Sequence, residues 1–284
     1  MITISHALLE SVETLDKVSD TPNLDAQILL ANALGKSRAW IISHPEEFLS
    51  KSDVSTWRVD LSSLQKGVPL PYVIGHWEFY GMDFAVTPDT LIPRPETELI
   101  VDQALDWLGE HQGYHLAVDI GTGTGCIAVA LAKHESNLTV IATDISLSAL
   151  KSASSNSYHH DVDERVHFLQ CDLLFPLAMH FDLICANLPY IPTEILPSLK
   201  VFGREPDLAL NGGKEGLDLI AQLLEIAPSY INLGGVLLIE IESTQGVQVQ
   251  SIAKQHFPFA NIRVIQDLSN HDRVVRIQQP NNIP

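Results

Sequence analysis

Cysteine is scarce in this 284-residue sequence, and the cysteines lie far apart. The three present are Cys126, Cys171 and Cys185, so no C-x-x-C pair occurs. An odd number of widely spaced cysteines argues against a disulfide framework and against a zinc site. We therefore expect a protein of the reducing cytoplasm that has no metal centre.

Basic residues are also few. Lys and Arg total 17 against 35 Asp and Glu, which gives a formal net charge of −18 at pH 7. The first 75 residues contain six basic and nine acidic side chains, so most of the negative charge belongs to the rest of the chain. A chain of this charge repels polyphosphate, which argues against tight, sequence-independent binding of nucleic acid. We expect no direct nucleic-acid binding.

Long apolar runs are missing as well. No run approaches the roughly 18 to 20 residues that span a bilayer, and charged residues interrupt the first twenty positions. We therefore expect no membrane association and no secretory signal. The hydrophobic fraction of 45% is ordinary for a globular protein, and at roughly 150 residues per domain the length predicts about two domains.

The N-terminal part has the punctuation of helices and little strand signal. Leu8, Val12 and Leu15 fall on one helical face, and Gly35 can end a second helix. We predict a small helical domain over residues 1–70.

Aromatic and β-branched residues broken by Gly and Pro follow in residues 71–94. The runs HWEFY and MDFAV flank Gly81, a pattern that predicts a β-hairpin. We interpret this segment as a linker.

The remaining residues, 95–284, alternate strand-like runs with helix-length segments. The runs LAVDI, LTVIATD, RVHFLQ, FDLICAN and GVLLIEI predict parallel βαβ units with helices on both faces of one sheet. Two last runs, NIRVIQ and DRVVRIQ, are too close together for a crossover helix and must form a hairpin. We predict an α/β catalytic domain with a mostly parallel, seven-stranded sheet that ends in an antiparallel hairpin.

A glycine-rich turn between a strand and a helix is the first candidate binding motif. It occurs in AVDIGTGTGCIAVALA, and its five residues are Gly121, Thr122, Gly123, Thr124 and Gly125. Glycines let the backbone turn sharply and approach a ligand closely, although a purely structural turn has the same composition. The spacing is G-x-G-x-G rather than the dinucleotide G-x-G-x-x-G, which disfavours a nicotinamide dehydrogenase.

Two acidic residues follow at the ends of the next strands. Asp144 ends the run LTVIATD, where a carboxylate can accept hydrogen bonds from ribose hydroxyls, or alternatively cap the next helix. Asp172 can accept from an adenine amine, or it can be a solvated turn residue. Because no Lys or Arg lies near the glycine turn, these elements favour an adenosine cofactor without phosphates.

The segment ANLPYI follows the strand FDLICA and contains the fourth motif. The Asn187 oxygen and the Leu188 carbonyl can each accept one hydrogen of a planar NH2 group. Pro189 follows, and Tyr190 can stack on the planar face. Alone, this tetrapeptide is equally consistent with a turn; behind the preceding motifs, it predicts a clamp that aims the nitrogen lone pair at an electrophile.

With these motifs the chain resembles the protein-(glutamine N5) methyltransferases of peptide-chain release factors, the HemK or PrmC family. The resemblance extends over most of the chain. It is found in the following segments: DAQILLANALGKSR, GVPLPYVIGHWEFYG, LIPRPETELIV, DIGTGTGCIAVALA, ANLPYI, EPDLALNGGKEGLDL and DLSNHDRVV. The resemblance implies a Rossmann-like, S-adenosylmethionine-dependent methyltransferase fold.

The resemblance also implies a cofactor, a substrate and their sites. S-Adenosyl-L-methionine would be bound by residues 121–125, with Asp144 on the ribose, Asp172 and Leu173 near the adenine, and Asn187 beside the methyl group. A glutamine amide would be held by the clamp. It would come from the GGQ motif of a class 1 peptide-chain release factor that docks partly on the helical domain.

One position departs from the family pattern, which is N-P-P-Y. Leu188 stands in the first Pro position and keeps the carbonyl acceptor but not the fixed φ. N-L-P-Y is also the form found in ribosomal RNA adenine N6-dimethyltransferases, so a nucleic-acid adenine methyltransferase is an alternative. A non-catalytic release-factor or ribosome-associated binding module is another.

Two further features have unassigned roles at this stage. Arg94, in LIPRPETE, is equally consistent with substrate docking and with an ion pair to a nearby carboxylate. Glu240 and Glu242, at the end of GVLLIEIE, can face the crevice, but a structural role at a strand end is favoured.

Overall fold

The structure is a computed structural model that describes residues 1–282, so the last two residues of the predicted domain 95–284 lie outside the described residues. It divides into two compact units, one covering Met1–His76 and the other beginning at Trp77. Within the described residues, no helix combines the length and the apolar character that crossing a membrane requires.

The first unit is helical, as predicted. Its helices are α1 (Ile4–Leu15), α2 (Pro22–Leu34), α3 (Arg38–Ser43), α4 (Lys51–Gln65) and α5 (Leu70–Ile74). Ser50 and Asp53 form a capping box at the start of α4, and Gly35 ends α2 in a left-handed conformation with φ +59°.

The buried face of α1 differs from the predicted one. Ala7, Ser11 and Leu15 are fully or almost fully buried, whereas Leu8 is only partly buried. Ser11 can be inside because its hydroxyl accepts a hydrogen bond of 2.9 Å from Trp57 Nε1 and donates one of 2.7 Å to the Ala7 carbonyl. A reading based on apolar spacing misses a buried hydroxyl of this kind.

The predicted hairpin forms from β1 (His76–Phe79) and β2 (Met82–Ala85). Phe79 and Phe84 are buried in the core of the second unit, with ring centroids 6.1 Å apart in an edge-to-face arrangement. Residues 71–94 are therefore shared between the units rather than forming a separate linker, because α5 belongs to the first unit and the hairpin packs in the second.

The second unit contains the predicted seven-stranded sheet. Its strands are β3 (His115–Ile120), β4 (Leu138–Asp144), β5 (Val166–Gln170), β6 (Phe181–Ala186), β7 (Ile231–Glu240), β8 (Asn261–Gln266) and β9 (Asp272–Gln278). The order is β5-β4-β3-β6-β7-β9-β8; β9 runs antiparallel to both neighbours, and the other pairs are parallel. The predicted fold class is confirmed.

Helices cover both faces of this sheet. They are α6 (Glu98–Glu110), α7 (Cys126–His134), α8 (Leu147–His159), α9 (Asp218–Ile226) and α10 (Gly246–His256). Alternate strand residues enter two cores: Ala117 packs with α6 and α7, and Val118 packs with α9. The strand order reverses at β3, which lies between β4 and β6. Such a switch point leaves a crevice at the carboxyl ends of the strands, where open α/β sheets bind ligands.

Candidate active site

A cavity of about 340 Å³ lies at this crevice, a size that suits a nucleoside-sized ligand. Residues that follow β3, β4, β5 and β6 line it, together with residues 88–97. The lining includes most of the predicted cofactor residues: Gly121, Thr122, Gly123, Thr124, Asp144, Asp172, Leu173 and Asn187.

The glycine-rich turn forms one wall of this cavity. Gly121 and Gly123 have φ values of +68° and +56°, a left-handed region that favours glycine. Thr122 anchors the turn, because its backbone N–H donates to the Thr143 carbonyl at 2.9 Å. The turn is thereby tied to the end of the neighbouring strand β4.

Gly125, also predicted to bind the cofactor, does not line the cavity. A Cβ at this position would lie 2.9 Å from the Ala153 Cβ, closer than real Cβ atoms approach other heavy atoms. Close packing of α7 against α8 and a left-handed φ of +80° together explain this glycine.

Asp144 braces the turn and also faces the cavity. Its Oδ2 accepts from the Gly123 N–H at 3.0 Å, and its Oδ1 accepts from the Ser146 N–H at 2.8 Å. The helix cap is instead Ser146, whose hydroxyl accepts from the Ala149 N–H. A carboxylate has about four acceptor positions, so Asp144 retains acceptor capacity for a ligand. Its pKa is raised by burial, although these backbone hydrogen bonds oppose the shift.

Asp172 and Leu173 also line the cavity. Asp172 is exposed, and it pairs with Phe175 in an isolated antiparallel bridge. The Leu173 carbonyl accepts a hydrogen bond of 3.2 Å from the Thr143 hydroxyl. Both residues are thus held beside the end of β4.

Asp119 is a buried residue that supports the glycine-rich turn and that sequence reasoning missed. It is 1% exposed, and its Oδ2 accepts from the Thr122 hydroxyl at 2.5 Å; its Oδ1 has no hydrogen-bond partner among the described residues. Burial raises its pKa to about 7. The sequence signal that could have identified Asp119 is its position two residues before Gly121, the first glycine of the turn.

A second cavity of about 320 Å³ adjoins the first. Leu91, Arg94, Asn187 and Ala209 line both. Of the remaining predicted clamp residues, Leu188 and Pro189 line only the first cavity, and Tyr190 lines only the second. The predicted clamp therefore lies where the two cavities meet.

A polar network lies behind the clamp. Asn187 Nδ2 donates to the Thr97 hydroxyl at 3.0 Å, and Thr97 in turn stabilises the charged form of the Glu240 carboxylate. The Tyr190 hydroxyl donates to Glu240 Oε1 at 3.2 Å. Burial raises the pKa of Glu240 to about 7, against the hydrogen bonds and the charge of Arg273, which lower it.

The backbone of the clamp is held from the other side. Gln245 Nε2 donates to the Tyr190 carbonyl at 3.0 Å and to the Gly216 carbonyl at 3.2 Å. A Cβ on Gly212 would lie 2.6 Å from the Pro189 carbonyl oxygen, and one on Gly216 would lie 2.2 Å from that of Tyr190. The glycines of NGGKEG thus allow this segment to pack directly on the clamp.

Arg94 forms the ion pair that its sequence context allowed. Its guanidinium pairs with Glu205, whose Oε2 also accepts from the Ile92 N–H at 3.1 Å. The Glu205 side chain is 3% exposed and that of Arg94 is 32% exposed. The pair joins LIPRPETE to the segment around residue 205, and Arg94 still lines both cavities.

The fold and the crevice define the class of protein, a Rossmann-like methyltransferase. The T. thermophilus 16S rRNA N2 G1207 methyltransferase, solved in complex with AdoMet and guanosine, aligns with a TM-score of 0.52 and 14% identity. The alignment covers 72% of this chain and 49% of that one, and it shows the fold alone. Residues 101–194 match a family model described as a methyltransferase small domain.

More similar relatives define the family. Residues 6–75 match the PrmC N-terminal domain. The release factor glutamine methyltransferase of Moorella thermoacetica is 39% identical over 96% of this chain and 97% of its own length. That of Vibrio cholerae is 36% identical over 96% of each chain. The chain belongs to the release factor glutamine methyltransferase family, and the resemblance found in the sequence is confirmed.

Proposed function

We propose that this protein transfers a methyl group from S-adenosyl-L-methionine to the side-chain amide nitrogen (N5) of the GGQ glutamine in class 1 peptide-chain release factors. The observation that supports this most directly is the junction of two cavities at Asn187. One cavity has the features of a nucleoside site. The other ends at a clamp suited to a primary amide.

The first cavity fits the cofactor. Gly121 and Gly123 provide a cradle without side chains, Asp144 retains acceptor positions for ribose, and Asp172 is placed for an adenine amine. The only cation lining the described cavity, Arg94, is paired with Glu205. The site therefore suits a nucleoside without phosphates. When bound, S-adenosyl-L-methionine supplies an electrophilic methyl group.

The clamp overcomes the poor nucleophilicity of an amide nitrogen, whose lone pair is delocalised into the carbonyl. Asn187 Oδ1 and the Leu188 carbonyl each accept one N–H of the glutamine, which reduces the delocalisation and orients the lone pair. Bound S-adenosyl-L-methionine would supply the methyl group to the nitrogen that Asn187 and Leu188 orient, and this nitrogen would lose one proton as it gains the methyl group. Orientation of this kind can lower a barrier by roughly 7 to 11 kcal/mol.

The substrate is a protein, and we infer that the helical unit contributes to its docking. The net charge of −18 disfavours a nucleic-acid substrate. Because release factors act in translation, we expect the protein to work in the cytoplasm.

The decisive experiment uses isotopically labelled S-adenosyl-L-methionine with an unmodified release factor, followed by peptide mass spectrometry. Ribosomal RNA is incubated in parallel, since the N-L-P-Y form of the clamp favours that second candidate. A methyl group on the GGQ glutamine is the expected result. Label on RNA adenine alone would support the adenine methyltransferase instead, and no label on either would favour a binding module.

A further inference from the structure

Glu240 is a buried carboxylate beside the clamp that the transfer reaction itself does not use. It ends β7 and is 1% exposed. Strand β7 pairs with β6, the strand that leads into Asn187. Since a buried carboxylate is costly unless it is hydrogen-bonded, its partners indicate what it does.

The hydrogen bonds behind the clamp all run towards Glu240. Asn187 Nδ2 donates to Thr97 Oγ1, which leaves the Thr97 hydroxyl proton for the Glu240 carboxylate. The Tyr190 hydroxyl donates to the same carboxylate. In its ionised form the Glu240 carboxylate can only accept, so it then imposes this direction on the whole network.

We propose that Glu240 is a positioning residue for the glutamine clamp: through Thr97 it keeps the Asn187 side-chain oxygen turned to the substrate, and it holds the Tyr190 ring directly. Without an acceptor at position 240, the Thr97 hydroxyl donates back to Asn187 Oδ1 and turns the amide over. The Asn187 NH2 would then meet the NH2 of the glutamine, donor against donor. This inference rests on the proposed function, because it assigns a role in holding the glutamine.

Two pairs of variants separate the acceptor from the shape of the side chain. Glu240→Met removes the acceptor, whereas Glu240→Gln keeps one acceptor oxygen. The Gln NH2 has room because Oε2 of Glu240 has no hydrogen-bond partner among the described residues. Thr97→Val removes the connecting hydroxyl with little change in shape, and Thr97→Ser keeps it. Glu225→Met, at an exposed position of α9, is the control.

The measurements are kcat and KM with a release factor, the Kd of S-adenosyl-L-methionine by calorimetry, and thermal unfolding. We expect Glu240→Met and Thr97→Val each to lower kcat by about tenfold or more, with cofactor affinity unchanged. Glu240→Gln and Thr97→Ser should recover most of the lost activity. The double variant Glu240→Met/Thr97→Val should be no worse than the poorer single one, because both break the same connection.

A readout without turnover is the side-chain NH2 signal of Asn187 in ¹⁵N NMR spectra, identified by its loss in Asn187→Ala. Glu240→Met should move this signal, and Glu240→Gln should move it far less. If Glu240→Met fails to fold, Thr97→Val tests the same connection.

The outcomes distinguish the two claims. An inactive wild-type protein would overturn the proposed function and this inference with it. An active wild type together with unimpaired Glu240→Met or Thr97→Val variants would overturn the inference alone. A purely structural role of Glu240 would also be recognised, because Glu240→Met and Glu240→Gln would then lower the unfolding temperature and the activity in parallel.

Discussion

The two cavities are supported in different ways. The wall of the first is made by neighbouring residues at strand ends, and backbone hydrogen bonds such as that from Thr122 to Thr143 tie it together. The clamp of the second is held by side chains from remote parts of the chain, namely Thr97, Glu240 and Gln245. Cofactor binding therefore depends on the ends of adjacent strands, whereas orientation of the substrate also depends on side chains outside β6 and its neighbouring turn.

This difference predicts that the two functions can be impaired separately. Substitutions around the clamp should lower kcat and leave cofactor affinity intact. Substitutions at the glycine turn should do the reverse.

The largest effect is expected at the junction of the cavities. Asn187→Ala should lower the rate by about 10² to 10³, by analogy with the loss of one transition-state hydrogen bond. Initial rates with a release factor measure this, and calorimetry should still detect S-adenosyl-L-methionine binding. Asn137→Ala, at an exposed position, is the control. A variant that retains most of its activity would remove Asn187 from the mechanism.

Gly216→Ala tests the backbone support of the clamp. Its Cβ would lie 2.2 Å from the Tyr190 carbonyl oxygen, so the clamp must shift, and a misplaced clamp should lower kcat by about tenfold to a hundredfold. Gly203→Ala is the matched control, because Gly203 also has a positive φ but has no atom within 4 Å of the added Cβ. Equal loss in the two variants would show that backbone strain, not contact with the clamp, is responsible.

Asp144→Ala tests the first cavity, which we assign to the cofactor. Loss of a charged acceptor typically costs about 1.5–3 kcal/mol, so the Kd of S-adenosyl-L-methionine should rise by about 10- to 100-fold. At saturating cofactor, kcat should change much less. Calorimetry on Asp144→Ala and on the exposed-site control Asp163→Ala provides the comparison. Unchanged affinity would contradict the assignment.

Two buried carboxyl groups have raised pKa values. Asp119 supports the glycine-rich turn and Glu240 supports the clamp, and the pKa of each is raised to about 7. The folded protein holds these protons where the unfolded chain releases them, so the contribution of these two groups to stability is largest at low pH and is lost as pH rises through 7. Glu240→Gln removes the contribution of Glu240 to this pH dependence. Relative to wild type, its free energy of unfolding should rise by about 1–2 kcal/mol between pH 5 and pH 8, as measured by urea denaturation. A difference independent of pH would rule out the raised pKa.

The smallest effect is expected from Leu188→Pro, which restores the family form of the clamp. Activity on a release factor should be kept or improved, because Pro fixes φ and the backbone carbonyl remains. The Leu188 side chain is 4% exposed, so its loss should lower the unfolding temperature. Rates and thermal unfolding of the same preparation test both points, and a marked loss of activity would show that Leu188 itself is required.

Most of the fold could be predicted because its signals are local. Apolar runs of strand length, their spacing and the short final connection predict the parallel sheet and its closing hairpin. Gly35 ended its helix as predicted for the same reason. The exception was a position where a distant residue decides: Ser11 is buried because Trp57 bonds to it.

The candidate site divides along the same line. By itself the sequence determined the residues that stand together in short motifs, such as Asn187 to Tyr190 and the turn beginning at Gly121. Only the tertiary structure determined what holds the clamp, since Asn187 and Thr97 are 90 positions apart and Tyr190 and Glu240 are 50 apart. Such contacts depend on strand order and register, and a local pattern of residue types contains neither.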